Sequence, residues 1–122
     1  MENREIKRIA VAFANSDRDL KLPVKVSWKR RVNRKRIADA CQIIDEALRD
    51  LANRYADEEH SYMDENKRRR VKEEFMKEYI AAVEEIMAQE QDVDIDTVKL
   101  EDLGDIEITD SDMDTLEFMI ID

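Results

Sequence analysis

The chain opens with apolar residues at helical spacing. Ile6, Ile9, Ala10 and Phe13 recur three and four positions apart, which is typical of a helix with one apolar face. The spacing predicts a short amphipathic helix over residues 2–14.

The next segment alternates apolar and polar residues. From Leu20 to Trp28 every second residue is apolar, and a period of two favours a half-buried strand. Pro23 lies on the polar face and cannot donate to a ladder, so the strand would lie at a sheet edge. Because proline also fits the first turn of a helix, a helix that begins near Pro23 is the alternative. We predict the strand.

From about Ser27 to Ala56 the pattern becomes helical, with Ser27 as a suitable N-cap. Six residues form a seam with alternating spacings of four and three: Ile37, Cys41, Ile44, Leu48, Leu51 and Tyr55. The polar run 57–60 interrupts this seam.

A second long helix is predicted over residues 63–90. One apolar stripe consists of Val71, Phe75, Tyr79, Ala82 and Ile86, and a neighbouring stripe consists of Met76, Ile80, Val83 and Met87. Two stripes make a broad apolar face, as expected for a helix covered by more than one neighbour. Two heptad-patterned helices joined by a short polar loop predict a long antiparallel two-helix hairpin.

After Gln91 the pattern changes again. Val93, Ile95 and Thr97 alternate with aspartates, which predicts a second short strand whose acids face Lys21 and Lys25. Gly104 marks a turn, and Thr109 or Asp110 caps a last helix.

Composition supports a helical fold class. The chain is 43% charged and 43% hydrophobic and contains one Gly and one Pro, which leaves little material for turns. We predict a single domain over residues 1–122 that is mainly α. Short N- and C-terminal helices flank the hairpin. The sequence leaves undecided whether residues 20–28 and 92–97 pair as a small two-stranded β element.

Several classes of protein are excluded by simple counts. Cys41 is the only cysteine, so an internal disulfide and a multi-Cys metal site are ruled out. The chain lacks the ~18 consecutive apolar residues of a membrane span, and its N-terminal apolar patch is too short for a signal peptide. We expect a cytoplasmic protein that does not contact membranes.

The net charge of −10 hides an asymmetry along the chain. Residues 1–72 contain 19 Lys and Arg against 13 Asp and Glu, a net +6. Residues 73–122 contain 2 against 18, a net −16. A basic half is therefore followed by a strongly acidic one, and the two can attract each other or separate partners.

The basic half contains a dense block of cations. Its members are Lys29, Arg30, Arg31, Arg34, Lys35 and Arg36. Clustered cations of this kind neutralise phosphates, so nucleic-acid binding is one hypothesis, and contact with another protein is a second. The predicted hairpin supports a third, which we favour: the block lies opposite acidic residues of the same chain, namely Glu84, Glu85, Glu90 and Asp92.

The acidic half offers the candidate partner-binding residues Asp92, Asp94, Asp96, Asp102, Asp105 and Glu107. Carboxylates on rigid elements can occupy a Lys/Arg-lined groove built for phosphates, and a solvated acidic surface is the plain alternative. A calcium loop would need glycine at Thr97 and glutamate at Leu103, so we predict no metal site.

The chain contains no pattern typical of an enzyme. His60 is the only histidine, and the predicted hairpin separates it from Cys41 by roughly 28 Å at 1.5 Å per residue. We therefore predict a non-enzymatic protein without catalytic residues or cofactors, with His60 as a loop residue.

The apolar C-terminus, from Leu116 to Ile121, exceeds what one face of a short helix needs. Two alternatives stay open: it packs into the hairpin, or it forms an oligomer contact. Phe118 and Ile120 are the candidate residues for an apolar contact with a partner.

Three segments carry a resemblance: Leu22-Pro-Val-Lys-Val-Ser-Trp28, Gln91-Asp-Val-Asp-Ile-Asp96, and Asp105-Ile-Glu-Ile-Thr-Asp110 leading to Leu116-Glu-Phe-Met119. With these, about a quarter of the chain resembles a family of small proteins of phages and prophages of Gram-positive bacteria. The resemblance implies a phage context and action in the host cytoplasm, and it brings no catalytic residues.

We therefore expect a phage-encoded protein that binds another protein of host or phage. The first hypothesis is an inhibitor of a host enzyme or defence complex that acts through the acidic third. A phage tail assembly chaperone that shields apolar helices is the alternative, and nucleic-acid binding through residues 29–36 is the second alternative.

Overall fold

The computed structural model describes residues 1–16 and 20–121. Its helices are α1 (Asn3–Ala14), α2 (Val24–Arg54), α3 (Glu73–Ala88) and α4 (Asp110–Glu117), and a 3-10 helix spans Leu100–Leu103. Its strands are β1 (Ser61–Met63), β2 (Arg69–Val71), β3 (Val98–Lys99) and β4 (Ile120–Ile121). The prediction of a mainly helical protein is confirmed.

The larger apolar cluster joins α1 to α2. The helix predicted over residues 2–14 is found as α1, and its Ile6, Ile9 and Phe13 are buried. They pack against Ile37 and Ile44 of α2. Burial of a side chain of this size contributes roughly 1.5–3 kcal/mol, so this contact lays α1 firmly along α2.

The strand predicted over residues 20–28 is wrong, and the alternative holds. Helix α2 begins at Val24, and Pro23 O accepts its first hydrogen bond from Ser27 N at 2.9 Å. Ser27 therefore lies inside the helix and is not its N-cap. Val26 is buried, whereas Val24 and Trp28 are 87% and 65% exposed. Residues two apart point to different sides of a helix, so the alternation does not mark one buried face.

A β-hairpin takes the place of the first third of the predicted second helix. Strands β1 and β2 are antiparallel, with Ser61 opposite Val71. In their turn the Asp64 carboxylate accepts hydrogen bonds from the backbone N–H groups of Asn66 and Arg68, at 2.9 and 2.8 Å. An aspartate that bonds nearby N–H groups competes with helix formation.

The second helix is therefore α3, which has sixteen residues, whereas α2 has 31. The two meet at the Tyr55 and Tyr79 rings, whose centroids are 5.1 Å apart. The long hairpin of two matched helices is not confirmed. A small antiparallel sheet is present, but in residues 61–71 and not where it was predicted.

The acidic third packs as a second layer on the N-terminal part of α2. Strands β3 and β4 pair in parallel, with Val98 opposite Ile120. The pairing of residues 20–28 with 92–97, which the sequence left open, does not form, because the first segment enters α2. The predicted turn is confirmed at Gly104, which has φ of 65°, and the predicted cap at Thr109, whose Oγ1 accepts from Asp112 N at 3.2 Å.

A smaller apolar cluster holds this layer in place. Its buried members are Val26, Val98, Leu103, Leu116 and Met119. The helix α4 and both short strands thus share one core with the start of α2. Among the described residues, no helix has the length and apolar character to cross a membrane.

Candidate functional site

One face of α2 binds main-chain groups within residues 92–107, which we call the acidic segment. Lys29 Nζ donates to Thr97 O at 2.8 Å, and Arg36 Nη1 donates to Asp94 O at 2.9 Å. Lys29 and Arg36 are seven residues apart, so they lie on one helical face. Because these bonds end on main-chain carbonyls, they fix the position of the segment's backbone against α2.

Four of the six predicted acidic residues are exposed. They are Asp92, Asp94, Asp105 and Glu107. The Asp94 side chain is 90% exposed, although its carboxylate lies 3.9 Å from Arg36 Nη1. These four carboxylates face solvent.

The other two acidic residues act within the chain. Asp96 Oδ1 accepts from Arg36 Nη1 at 3.0 Å. Asp102 Oδ2 accepts from Lys99 N at 3.0 Å, at the start of the 3-10 helix, and lies 3.8 Å from Lys25 Nζ. Asp96 and Asp102 therefore stabilise the segment and contribute less to a partner surface.

Two arginines of the basic block surround the Phe13 ring. The guanidinium carbons of Arg30 and Arg34 lie 5.5 and 5.3 Å from its centroid. Arg30, 6% exposed, donates to Thr115 Oγ1 at 3.0 Å and to Ser16 Oγ at 3.1 Å. Arg34 donates to Phe13 O at 3.0 Å. These arginines join α1, α2 and α4, and they are structural.

The remaining two cations face solvent. Arg31 and Lys35 are exposed, and within residues 1–16 and 20–121 neither has a hydrogen bond or ion pair. Trp28 lies three and seven residues before them, so the three share one helical face. The basic block is thus divided over three faces of α2.

The acidic neighbours predicted for the basic block are wrong. Residues 94–97 lie against Lys29 and Arg36, as the hydrogen bonds above show. Glu84 instead pairs with Arg4 of α1 at 3.1 Å, and Glu90 forms a backbone bridge with Glu2. The reason is the short α3, which lies beside the C-terminal part of α2 and leaves its N-terminal part to α1 and the acidic segment.

The apolar C-terminus packs into the chain itself. Leu116 and Met119 are fully buried. The Phe118 ring meets the Phe13 ring edge-on at 5.9 Å between centroids, and Ile120 is half-buried in β4. Of the two alternatives for this segment, the structure favours internal packing, although against α1 and the start of α2 and not against a hairpin.

His60 lies in a structured junction at the end of α2. Its ring centroid is 5.3 Å from that of Tyr55 and 4.5 Å from that of Phe75. Its Nδ1 lies 2.6 Å from Asp57 Oδ1. This hydrogen bond raises the pKa of His60 and lowers the pKa of Asp57, because it favours the charged form of both groups.

Potential metal ligands gather at the same junction. One ligand atom each of Asp57, Glu59 and His60 lies within 4.8 Å of the others. The bond between Asp57 and His60 accounts for this proximity, so the cluster carries no argument for a metal. Cys41 is half-buried with Sγ 3.8 Å from Asp45 Oδ2, and burial raises the pKa of its thiol, which keeps it in the less reactive form.

Sequence reasoning missed Asn33, which is fully buried at the centre of the α2 face. Its Nδ2 donates to Asp96 O at 2.8 Å, and its Oδ1 accepts from Asp96 N at 2.8 Å. A signal was present: the seam that contains Ile37 extends backwards through Asn33, Arg30 and Val26 with spacings of four and three. Polar residues on such a seam indicate buried hydrogen-bonding positions.

Comparisons of the chain with models of known protein families, with curated proteins and with solved structures give no match.

Proposed function

We propose that this protein acts by binding a basic surface of another protein through its acidic segment, without catalysis. One observation carries the proposal: Asp92, Asp94, Asp105 and Glu107 are exposed, and α2 binds the main chain of the same segment at Asp94 and Thr97. A rigid array loses less conformational entropy on binding than a mobile tail does. Its negative field also steers a cationic groove into contact.

The proposed role is that of a phage-encoded inhibitor, which acts on a host enzyme or on a host defence complex. A target of this kind would have a groove lined with Lys and Arg that binds phosphates. The four exposed carboxylates would compete with those phosphates for the same positive charges. Asp96 and Asp102 support the array from within. The chaperone alternative relied on Phe118 and Ile120, and their packing against the chain's own residues makes it the weaker proposal.

Capture from a lysate of a Gram-positive bacterium, over a salt series, tests the proposal. A captured target should be released steeply with rising salt and displaced by a polyanion such as heparin. The variant Asp92→Asn, Asp94→Asn, Asp105→Asn, Glu107→Gln should lose capture. The control Asp39→Asn, Asp50→Asn, Glu58→Gln, Glu65→Gln has the same net charge and should retain it.

If the two variants capture the target to the same extent, only the overall charge matters, and the proposal is overturned. Capture that does not change with salt and persists in the variant without the four carboxylates would support the chaperone instead.

A second candidate function is nucleic-acid binding by the third face of α2. The observation that favours it is the exposure of Trp28, 65%, beside the exposed cations Arg31 and Lys35. Bases stack on exposed aromatic rings while cations contact phosphates. Trp28 is the only tryptophan, so single-stranded oligonucleotides should quench the protein's fluorescence at low salt, and less in Arg31→Ala, Lys35→Ala. Unchanged fluorescence at low salt would rule this function out.

A further inference from the structure

Helix α3 is rich in apolar residues that the chain does not bury. Ten of its sixteen residues are apolar, and none of the sixteen, all of them described, is buried. One apolar stripe faces α2: Tyr79 meets Tyr55, and Ile86 packs against the larger core cluster. A helix with two apolar stripes needs a second neighbour.

The second stripe is open over much of its length. Its members are Met76, Ile80, Val83 and Met87, and we call it the outer stripe. Met76 is 37% and Ile80 54% exposed, while Val83 and Met87 are half-buried. Met87 also packs in part against the larger core cluster. The first half of the stripe therefore lacks an apolar cover from the described chain.

The outer stripe is complementary to itself. Its spacings of four, three and four residues are the same in both directions. Two copies of α3 in antiparallel contact about a two-fold axis place Ile80 against Val83 of the second copy, and Met76 against Met87. An isologous interface requires this property, and a knobs-into-holes seam has this spacing.

The charges beside the stripe select the antiparallel order. Lys77 and Glu84 are seven residues apart, on the same flank of the stripe. In an antiparallel pair Lys77 of one copy meets Glu84 of the other, twice per dimer. A parallel pair would instead place Lys77 next to Lys72 of the second copy, which is repulsive. Glu84 is 63% exposed despite its pair with Arg4, so it can accept a second cation.

The segments beyond α3 follow the same rule. The exposed basic turn 67–70 precedes α3, and the exposed acids Glu90 and Asp92 follow it. Antiparallel contact brings the basic end of each copy to the acidic end of the other.

We propose that α3 docks on α3 of a second copy of this chain, as an antiparallel two-fold pair centred between Ile80 and Val83. The proposed dimer goes beyond the proposed function, because its contact is formed by α3 and does not include Asp94, Asp105 or Glu107. A dimer would present two acidic segments, which strengthens binding to a target with two basic sites.

Sedimentation equilibrium on the full chain, over a concentration series, tests the pairing. We expect a shift from the 14.5 kDa monomer to twice that mass. Ile80→Glu should raise the dimer dissociation constant about tenfold or more, since it places a charge at the centre of the contact. The control Ile43→Glu changes an equally exposed isoleucine on α2, 59% against 54%, and should leave the dissociation constant unchanged.

Charge reversal tests the direction of the helices. Lys77→Glu alone and Glu84→Lys alone should each weaken the homodimer. The double variant should restore it, and a mixture of the two single variants should form a heterodimer.

A monomer at ~0.5 mM chain, which corresponds to an interface worth less than about 4.5 kcal/mol, would overturn the proposal. So would a dimer insensitive to Ile80→Glu, or single reversals without effect. Capture of a different helical protein by α3, with no dimer, would assign the stripe to that partner.

Discussion

The side chain of Asn33 pairs with the main chain of Asp96 through two hydrogen bonds, each 2.8 Å long. The buried amide donates to the carbonyl and accepts from the N–H of the same residue, as a neighbouring strand would. This pair attaches the acidic segment to α2 between the contacts that Lys29 and Arg36 make, and so it underlies the proposed partner surface.

Replacement of Asn33 by Leu should destabilise the protein by about 2–4 kcal/mol. The change removes both hydrogen bonds and leaves two backbone groups of half-buried Asp96 without these partners, each worth roughly 1–3 kcal/mol. Chemical denaturation measures the effect, with Arg31→Leu on the same helix as the exposed control. Equal stabilities of the two variants would contradict the role of Asn33.

Replacement of Thr115 by Val should cost about 1–3 kcal/mol. Thr115 is fully buried, and its Oγ1 accepts from Arg30 Nε at 3.0 Å. Valine has nearly the same shape but cannot accept a hydrogen bond, so a buried guanidinium loses a partner. Thr97→Val is the matched control, because exposed Thr97 contributes only its main-chain carbonyl to Lys29. The prediction fails if both variants unfold at the same denaturant concentration.

The His60–Asp57 pair should give the protein a specific pH dependence. The hydrogen bond to Asp57 raises the pKa of His60. The contribution of His60 to folding stability is therefore complete below its ordinary pKa of 6.5 and is lost as pH rises through the raised pKa. For Asp57 the pKa is lowered, so its contribution is present above 3.8 and is lost as pH falls through the lowered pKa.

Because His60 is the only histidine, its NMR titration can be followed as a single resonance. In the wild type its pKa should lie above 6.5, and in Asp57→Asn it should fall. Glu58→Gln, one residue further along, controls for the loss of a nearby charge. An identical titration in wild type and Asp57→Asn would show that the pair does not form in solution.

Replacement of Gly104 by Ala should destabilise the protein by about 1 kcal/mol or somewhat more. Gly104 has φ of 65° and ψ of −157°, and no atom lies near the position of an added Cβ. The cost is therefore one of backbone conformation and not of space. Asp105→Ala, at the next and equally exposed position, should change the thermal midpoint little. A thermal midpoint for Gly104→Ala as high as that of the control would contradict this explanation.

Much of the local structure followed from the sequence. The positions of Ile6, Ile9 and Phe13 determine α1, because a helix with this pattern has only one face to bury. The cap at Thr109 and the turn at Gly104 also depend on the chemistry of single residues, and both were predicted. The separation of the chain into a basic and an acidic part identified the two surfaces that meet in the fold.

Other features followed from local interactions that the apolar pattern does not show. Alternating residues 20–28 fit a strand, yet Pro23 can start a helix, and α2 begins at Val24. The helical pattern of residues 63–72 gave way to a hairpin because Asp64 bonds the N–H groups of Asn66 and Arg68. A short competing interaction of this kind does not alter the apolar periodicity.

The sequence concentrated six cations on one short stretch of the chain, but only the tertiary structure decided which of them contact other residues. A helix distributes consecutive residues around its axis, so the six cations point to three environments. Arg30 and Arg34 enter the core around Phe13, Lys29 and Arg36 hold the acidic segment, and Arg31 and Lys35 stay in solvent. Side chains on one short stretch of sequence thus acquire different roles, because burial and hydrogen bonding depend on the element that packs against each face.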